Sequence, residues 1–229
     1  MDKKLIGLCM PGSFRSLEYT LDNINDKLIK NNKNKYKIII FLYIPNDKYK
    51  DKIKLFDQLD IEIIYETKND IELNLPNINW INFAQQTKNN KCGINGYLQQ
   101  LYGIEQSFKL LKEYEEKNNI KFDIICRARS DVLFMNNIDI DKFVLDKIIL
   151  PEFHSFAGIN DRFAIGNREK MKVYMEMYSN LSKLNNFKMF WQAELYCKYN
   201  LEINNINYKK DNSIQFKRVR ETGEISEDI

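Results

Sequence analysis

The residues best suited to chemistry crowd one short stretch, Phe122-Asp-Ile-Ile-Cys-Arg-Ala-Arg-Ser-Asp-Val-Leu-Phe134. It runs apolar to Cys126, then presents Arg127, Arg129, Ser130 and Asp131 before turning apolar again. Guanidinium forks match phosphate or carboxylate. A carboxylate suits a hard cation or a sugar hydroxyl. Further cations lie far along the chain: Arg15, just past the first apolar run, and Lys217, Arg218 and Arg220 in an alternating segment near the end. Two more acids stand among apolar neighbours, Asp161 and Glu194. Leaving a charge in such company is costly unless it has a use or a partner. The plain alternatives are a turn with a surface ion pair at Asp161-Arg162 and an ordinary first-turn helix carboxylate at Glu194. His154 is the only histidine, and a lone His is more often structural than catalytic.

These side chains need elements to bring them together. A short apolar run between turn signals reads as a buried strand, so Phe122 to Cys126 predicts one whose charged end opens onto a ligand site. Lys3 to Met10 predicts the first strand. Pro11-Gly12-Ser13 breaks it, and Ser16 is placed to cap a helix striped by Leu17, Leu21, Ile24 and Leu28. Strand, turn and helix start form an anion cradle beside Arg15. Tyr36 to Ile44 predicts a parallel strand covered on both faces. A helix over Tyr49 to Leu59 and a strand over Ile61 to Tyr65 complete a βαβαβ half.

The stretch from Thr67 to Lys91, with Trp80 and Phe83, is expected to be a long connection. Ile94 to Glu116 predicts a strong helix, with Gly103 suggesting close packing. Lys147 to Leu150 and Phe163 to Ile165 predict strands. Asn167 is placed to cap a helix over Arg168 to Leu184, and a helix follows from Trp191 to about Tyr199. Strands are expected over Leu201 to Tyr208 and Ile214 to Arg220. The whole reads as one α/β, Rossmann-like domain over residues 1–220, with a mostly parallel central sheet flanked by helices. An acidic, flexible tail covers residues 221–229.

The chain has 229 residues, 44% hydrophobic and 29% charged, with a net charge of +3. That balance gives no strong field for nucleic acid or membrane. Cys9, Cys92, Cys126 and Cys197 form no CxxC pair, which argues against zinc and fits a reducing compartment. The most apolar run, Ile38 to Ile44, is too short to span a bilayer, and no secretory leader opens the chain. The expected setting is cytoplasmic, with no integral membrane segment.

Three stretches together resemble the small nucleotide-sugar glycosyltransferases of the GT-A fold, in particular those of large DNA viruses and related bacterial sequences. They are the opening strand and turn with Arg15, the segment from Phe122 to Asp131, and Gly158-Ile-Asn-Asp-Arg-Phe-Ala-Ile-Gly166. The motif from Trp191 to Glu194 also looks similar. The resemblance implies transfer of a sugar from a nucleotide-sugar donor to a glycan or protein acceptor, in the host cytoplasm or virion if the source is viral, with a homodimer allowed. It implies Asp131 as ligand of Mn²⁺ or Mg²⁺ on the donor diphosphate. Arg15, Arg127, Arg129, Arg218 and Arg220 would grip that diphosphate, and Asp161 or Glu194 would act on the acceptor or reacting sugar. The second acid of an Asp-x-Asp pair is missing, since Arg129 and Leu133 flank Asp131 at that spacing. Two rivals stand beside this reading: a nucleotidyltransferase on a similar sheet, and a non-catalytic nucleotide-sugar-binding module.

Overall fold

A computed structural model describes residues 3–69, 73, 93–184 and 193–226. Most of the 67–91 connection, with Trp80 and Phe83, lies outside the described residues, as do Cys92 and Trp191. The run of branched residues from Ile38 to Ile44 lies in β2 (Tyr36–Pro45) and feeds two cores at once. Ile38, Ile40, Leu42 and Ile44 face one side of the sheet, and Ile39 and Phe41 face the other. That is the two-residue period of a strand. Around β2 stand β1 (Lys4–Cys9), β3 (Glu62–Lys68), β4 (Ile124–Ala128), β6 (Ile148–Pro151), β7 (Phe163–Asn167) and β8 (Tyr208–Asp211). They form a seven-stranded sheet in the order β3-β2-β1-β4-β7-β6-β8. β3, β2, β1 and β4 run parallel, β7 is antiparallel to both β4 and β6, and β8 is parallel to β6. Among these strands β7 alone runs against the others. The mostly parallel α/β domain expected from sequence is therefore the one observed.

A second sheet pairs β9 (Phe216–Val219) with β5 (Val132–Phe134) and β10 (Ile225–Ser226), all antiparallel. Helix α1 (Leu17–Ile24) passes through a π-helical turn, Asn25–Ile29, into α2 (Lys30–Asn32). It covers one face of the main sheet through Leu17, Leu21 and Ile24, packed with Phe14, Phe56, Phe134 and Phe216. The other face is covered by α3 (Gly93–Asn118), α4 (Arg168–Met175), α5 (Met177–Asn180) and α6 (Ala193–Ile203). Leu98, Leu101, Ile104, Phe108 and Leu111 of α3 are all buried there. Each such side chain contributes about 1.5–3 kcal/mol by leaving water.

The far end of α3 is pinned by Glu115. Its carboxylate accepts from Phe122 N at 3.0 Å and from both Nε and Nη2 of Arg168. Burial would raise this carboxyl, but the Arg168 hydrogen bonds bring it below its ordinary value. One ion pair thus fixes the entry to β4 and the start of α4.

The structure corrects several local expectations. Ser16 precedes α1 without capping it, because its hydroxyl donates instead to Val219 O at 2.9 Å. Asn167 does cap α4, accepting from Lys170 N at 3.0 Å. Residues Lys50–Gln58 form a 3-10 helix rather than an α-helix, burying Phe56. The helix expected over Arg168 to Leu184 breaks at Glu176, where ψ is 29°. The strand expected at Leu201 is the last turn of α6, and the strand proper is β8. The chain past Glu221 stays on the body as far as Ser226, because β10 pairs with β9. Gly103 is not required by packing: an added Cβ would sit 3.6 Å from Pro11 Cβ, an ordinary contact. Cys9, Cys126 and Cys197 are free and buried, as small hydrophobes are.

Candidate active site

At the carboxyl ends of β1 to β4 opens a cavity of about 520 Å³. A site there is what an open α/β sheet provides. The turn after β1 forms its floor. Gly12 adopts φ 115°, a conformation that favours glycine, and its N–H donates to Tyr43 O at 3.0 Å. Arg15 and Ser16 follow in the wall. Tyr43 and Pro45 come from β2, Lys68 and Asn69 from the end of β3, and Gln99 and Gln100 from the first turns of α3. Arg127, Arg129, Ser130 and Asp131 come from β4 and its exit.

The small sheet closes the cavity. Val219 N donates to Asp131 O at 2.9 Å, and Ser16 Oγ to Val219 O, so β9 is bound both to the β4 exit and to the α1 start. Thr20 Oγ1 donates to Ser130 O at 2.5 Å, tying α1 to the same exit. Arg218 and Arg220 are two apart and reach the cavity together, while Lys217, just before them, is exposed and absent from the lining. Residues 15, 131 and 218 thus meet in one cleft although they are remote in the chain.

Asp131 is held by guanidinium groups. Arg129 Nε donates to Oδ1 at 2.7 Å and Nη2 to Oδ2 at 2.6 Å, a bidentate pair. Arg218 Nε lies 3.6 Å from Oδ2. Burial alone would raise this carboxyl. The charges of Arg129, Arg218 and Arg127 outweigh it and hold the group well below the usual carboxylate range. Both oxygens therefore already face positive charge. Among the described residues no three His, Cys, Asp or Glu side chains gather at one point. With both oxygens of Asp131 held in the Arg129 fork, this carboxylate does not fit Mn²⁺ or Mg²⁺ as it stands.

Arg127 differs from its neighbours. It is 2% exposed, and its Nη1 donates inward to Asp161 O, which also accepts from Tyr174 OH at 3.1 Å. It supports the wall from behind, joining β4 to the start of β7. Asp161 is buried, not on a surface turn, and does not line the cavity. Its Oδ2 accepts from Gln100 Nε2 at 2.7 Å, so one cavity-wall side chain separates it from the cleft. Glu194, in the first turn of α6, lies behind the same wall. Burial first, and the Asp161 charge second, raise its carboxyl above the ordinary value. Its carbonyl accepts from Ile159 N at 3.0 Å. Gly158 permits this approach, since a Cβ there would fall 2.0 Å from Glu194 O. His154 Nδ1 lies 3.4 Å from Arg162 Nη1, outside the lining.

Sequence reasoning missed Lys68, Asn69 and Tyr43. The signal was present for Lys68: a cation three residues past the predicted strand from Ile61 to Tyr65, much as Arg15 follows the first strand. The register of β3 was needed to see that it reaches the same rim as Arg15.

The domain has a glycosyltransferase fold. It superposes on core-mannan synthase A (CmsA/Ktr4) from Aspergillus fumigatus in its Mn/GDP form with a TM-score of 0.58 and 11% identity, covering 94% of this chain and 75% of that one. It superposes on the mannosyltransferase Ktr4p from S. cerevisiae with a TM-score of 0.53 and 15% identity, covering 94% of this chain and 70% of that one. At such identities the likeness establishes architecture. By sequence, the chain belongs to the family described as Domain of unknown function (DUF7796), whose model matches residues 1–219. No curated protein matches the sequence.

Proposed function

We propose that this protein transfers a sugar from a nucleoside-diphosphate donor to an acceptor hydroxyl. The observation that carries the reading is the convergence of Arg15, Arg129, Arg218 and Arg220 on one cavity at the carboxyl ends of the parallel strands. The glycosyltransferase fold supports it. In such a transfer the bond from the anomeric carbon to the diphosphate oxygen breaks, and a bond from the acceptor oxygen to that carbon forms. Negative charge grows on the leaving oxygen while the sugar becomes oxocarbenium-like. Guanidinium groups fixed in advance around that oxygen stabilise it without reorganising. Arg129 is fixed by Asp131, and Arg218 by the β5–β9 pairing.

The diphosphate then occupies the Arg15 and Arg218 side, and the reacting sugar the Gln100 side. There, Asp161 holds Gln100 and stands next to Glu194. A carboxyl raised toward neutrality is better matched to accept the acceptor's proton, so Glu194, standing behind the wall, is the base through one bridging water if the reaction inverts. A retaining reaction needs no such base, and Asp161 then acts by holding Gln100. Because one fold neighbour was solved with GDP, guanosine-diphosphate sugars are the first donors to try.

The test is product analysis after incubation with a panel of nucleotide-sugars and glycan acceptors. Sugar transfer releases nucleoside diphosphate. Release of pyrophosphate would mark nucleotidyl transfer, and binding without turnover would mark a binding module. Arg218→Gln is expected to reduce turnover at least about tenfold, the loss of one charge-assisted hydrogen bond in the transition state.

A further inference from the structure

The residues around Asp131 bear on how the donor's charge is neutralised, a step that rests on the reading above. The lining of the cavity carries six cationic side chains, Arg15, Lys68, Arg127, Arg129, Arg218 and Arg220, against two carboxylates, Asp131 and Glu221. Glu221 is paired with Lys48 at 2.9 Å. Asp131 points both oxygens into the Arg129 fork, with Arg218 behind. A divalent cation placed on that carboxylate would meet two guanidinium groups in a half-buried site, where like charges are poorly screened. It would also have to displace a bidentate pair to gain a single ligand. The forks themselves have the planar geometry that grips phosphate oxygens.

We propose that the donor diphosphate is neutralised by the guanidinium groups of Arg129 and Arg218, aligned by Asp131, and that donor binding requires no divalent cation. Asp131 is then a positioning residue, and its charge opposes the anion it helps to orient. The opposite sign is expected of a metal ligand, whose loss abolishes binding.

The experiment is calorimetric titration of the full chain with inorganic pyrophosphate, GDP and UDP, each in EDTA and in Mn²⁺. The expected result is binding in EDTA with a Kd within about twofold of that in Mn²⁺, because binding would not depend on a phosphate-bridging cation. Asp131→Asn is expected to keep pyrophosphate binding in EDTA or tighten it. Arg218→Gln is expected to weaken it about tenfold or more, as loss of a hydrogen bond to a charged group does. Arg220→Gln, at an exposed position that leaves the fold intact, should weaken it by a smaller factor. Binding that appears only with Mn²⁺ would overturn the inference while leaving the glycosyltransferase reading standing. Retention of full affinity in Arg218→Gln would overturn it too. If the folded protein takes none of the three ligands in either condition, the reading under Proposed function fails, and this inference with it.

Discussion

Replacing Gly158 by alanine would drive a methyl carbon into backbone. The new Cβ would lie 2.0 Å from Glu194 O, 2.1 Å from Glu194 C and 2.4 Å from Leu195 N. Real Cβ contacts essentially never fall below 3.0 Å, so the β6–β7 loop and the start of α6 must part by at least the 1.0 Å difference. No flexible side-chain end is available to yield. The Ile159 N to Glu194 O hydrogen bond stretches with the same movement. Overpacking of this kind costs about 1–3 kcal/mol. For a domain of this size that is a Tm loss of about 2–4 °C per kcal/mol. Gly103→Ala is the matched control, the same added methyl with its nearest neighbour at 3.6 Å. Inside a helix it should stabilise by about 0.5–1 kcal/mol. Urea unfolding of both variants measures the pair. In turnover, Gly158→Ala should lower kcat by up to about a hundredfold, since shifts near 1 Å at a reacting group cost that much. Donor KM should barely move, because Glu194 lies away from the diphosphate side. A Gly158→Ala protein as stable as the parent would refute the close approach of loop and helix.

Other outcomes follow from individual contacts. Glu115→Gln leaves the half-buried Arg168 guanidinium without its anion and should cost about 2 kcal/mol in denaturant unfolding; a loss under about 1 kcal/mol would mean the pair is not a clamp. Asp131 has a folded pKa below its unfolded value of about 3.9, so its stabilisation is present above about pH 4 and drains away as pH falls. The stability gap between the parent and Asp131→Asn should therefore narrow on acidification; a gap constant with pH would contradict the Arg129 pairing. Asp161→Asn removes one of the charges that raise Glu194, after burial the largest. The acid limb of kcat/KM should then move to lower pH, and a limb that stays in place would remove Glu194 as the titrating base.

Much of the fold was legible because its signals are local. Ile38 to Ile44 is apolar without alternation, which only a strand covered on both faces tolerates. The stripe from Leu98 to Leu111 fixes α3, and Asn167 announces its helix by capping it. Lys217 groups with Arg218 and Arg220 in sequence, and the fold brings only the two arginines to the cavity. Signals that depend on distant partners were not legible. Ser16 looks like a cap, but Val219, 203 positions later, takes its hydroxyl. Arg127 and Arg129 look equivalent in sequence. Arg127 sits inside β4 and reaches the Asp161 carbonyl, whereas Arg129 lies past the strand's end and forks onto Asp131. The family resemblance implies a metal ligand at Asp131. Only the fold shows that the Arg129 fork and the β9 arginine surround it. Asp161 was expected in the cleft itself and stands one side chain behind it, through Gln100.

A crystal structure of the full chain with a nucleoside diphosphate and EDTA tests the central claim most directly. The account predicts diphosphate oxygens within hydrogen-bond distance of Arg129 and Arg218, beside the Gly12 turn, with Asp131 still in the Arg129 fork. Density for the nucleotide elsewhere on the protein, or an empty cavity at saturating ligand, would contradict it.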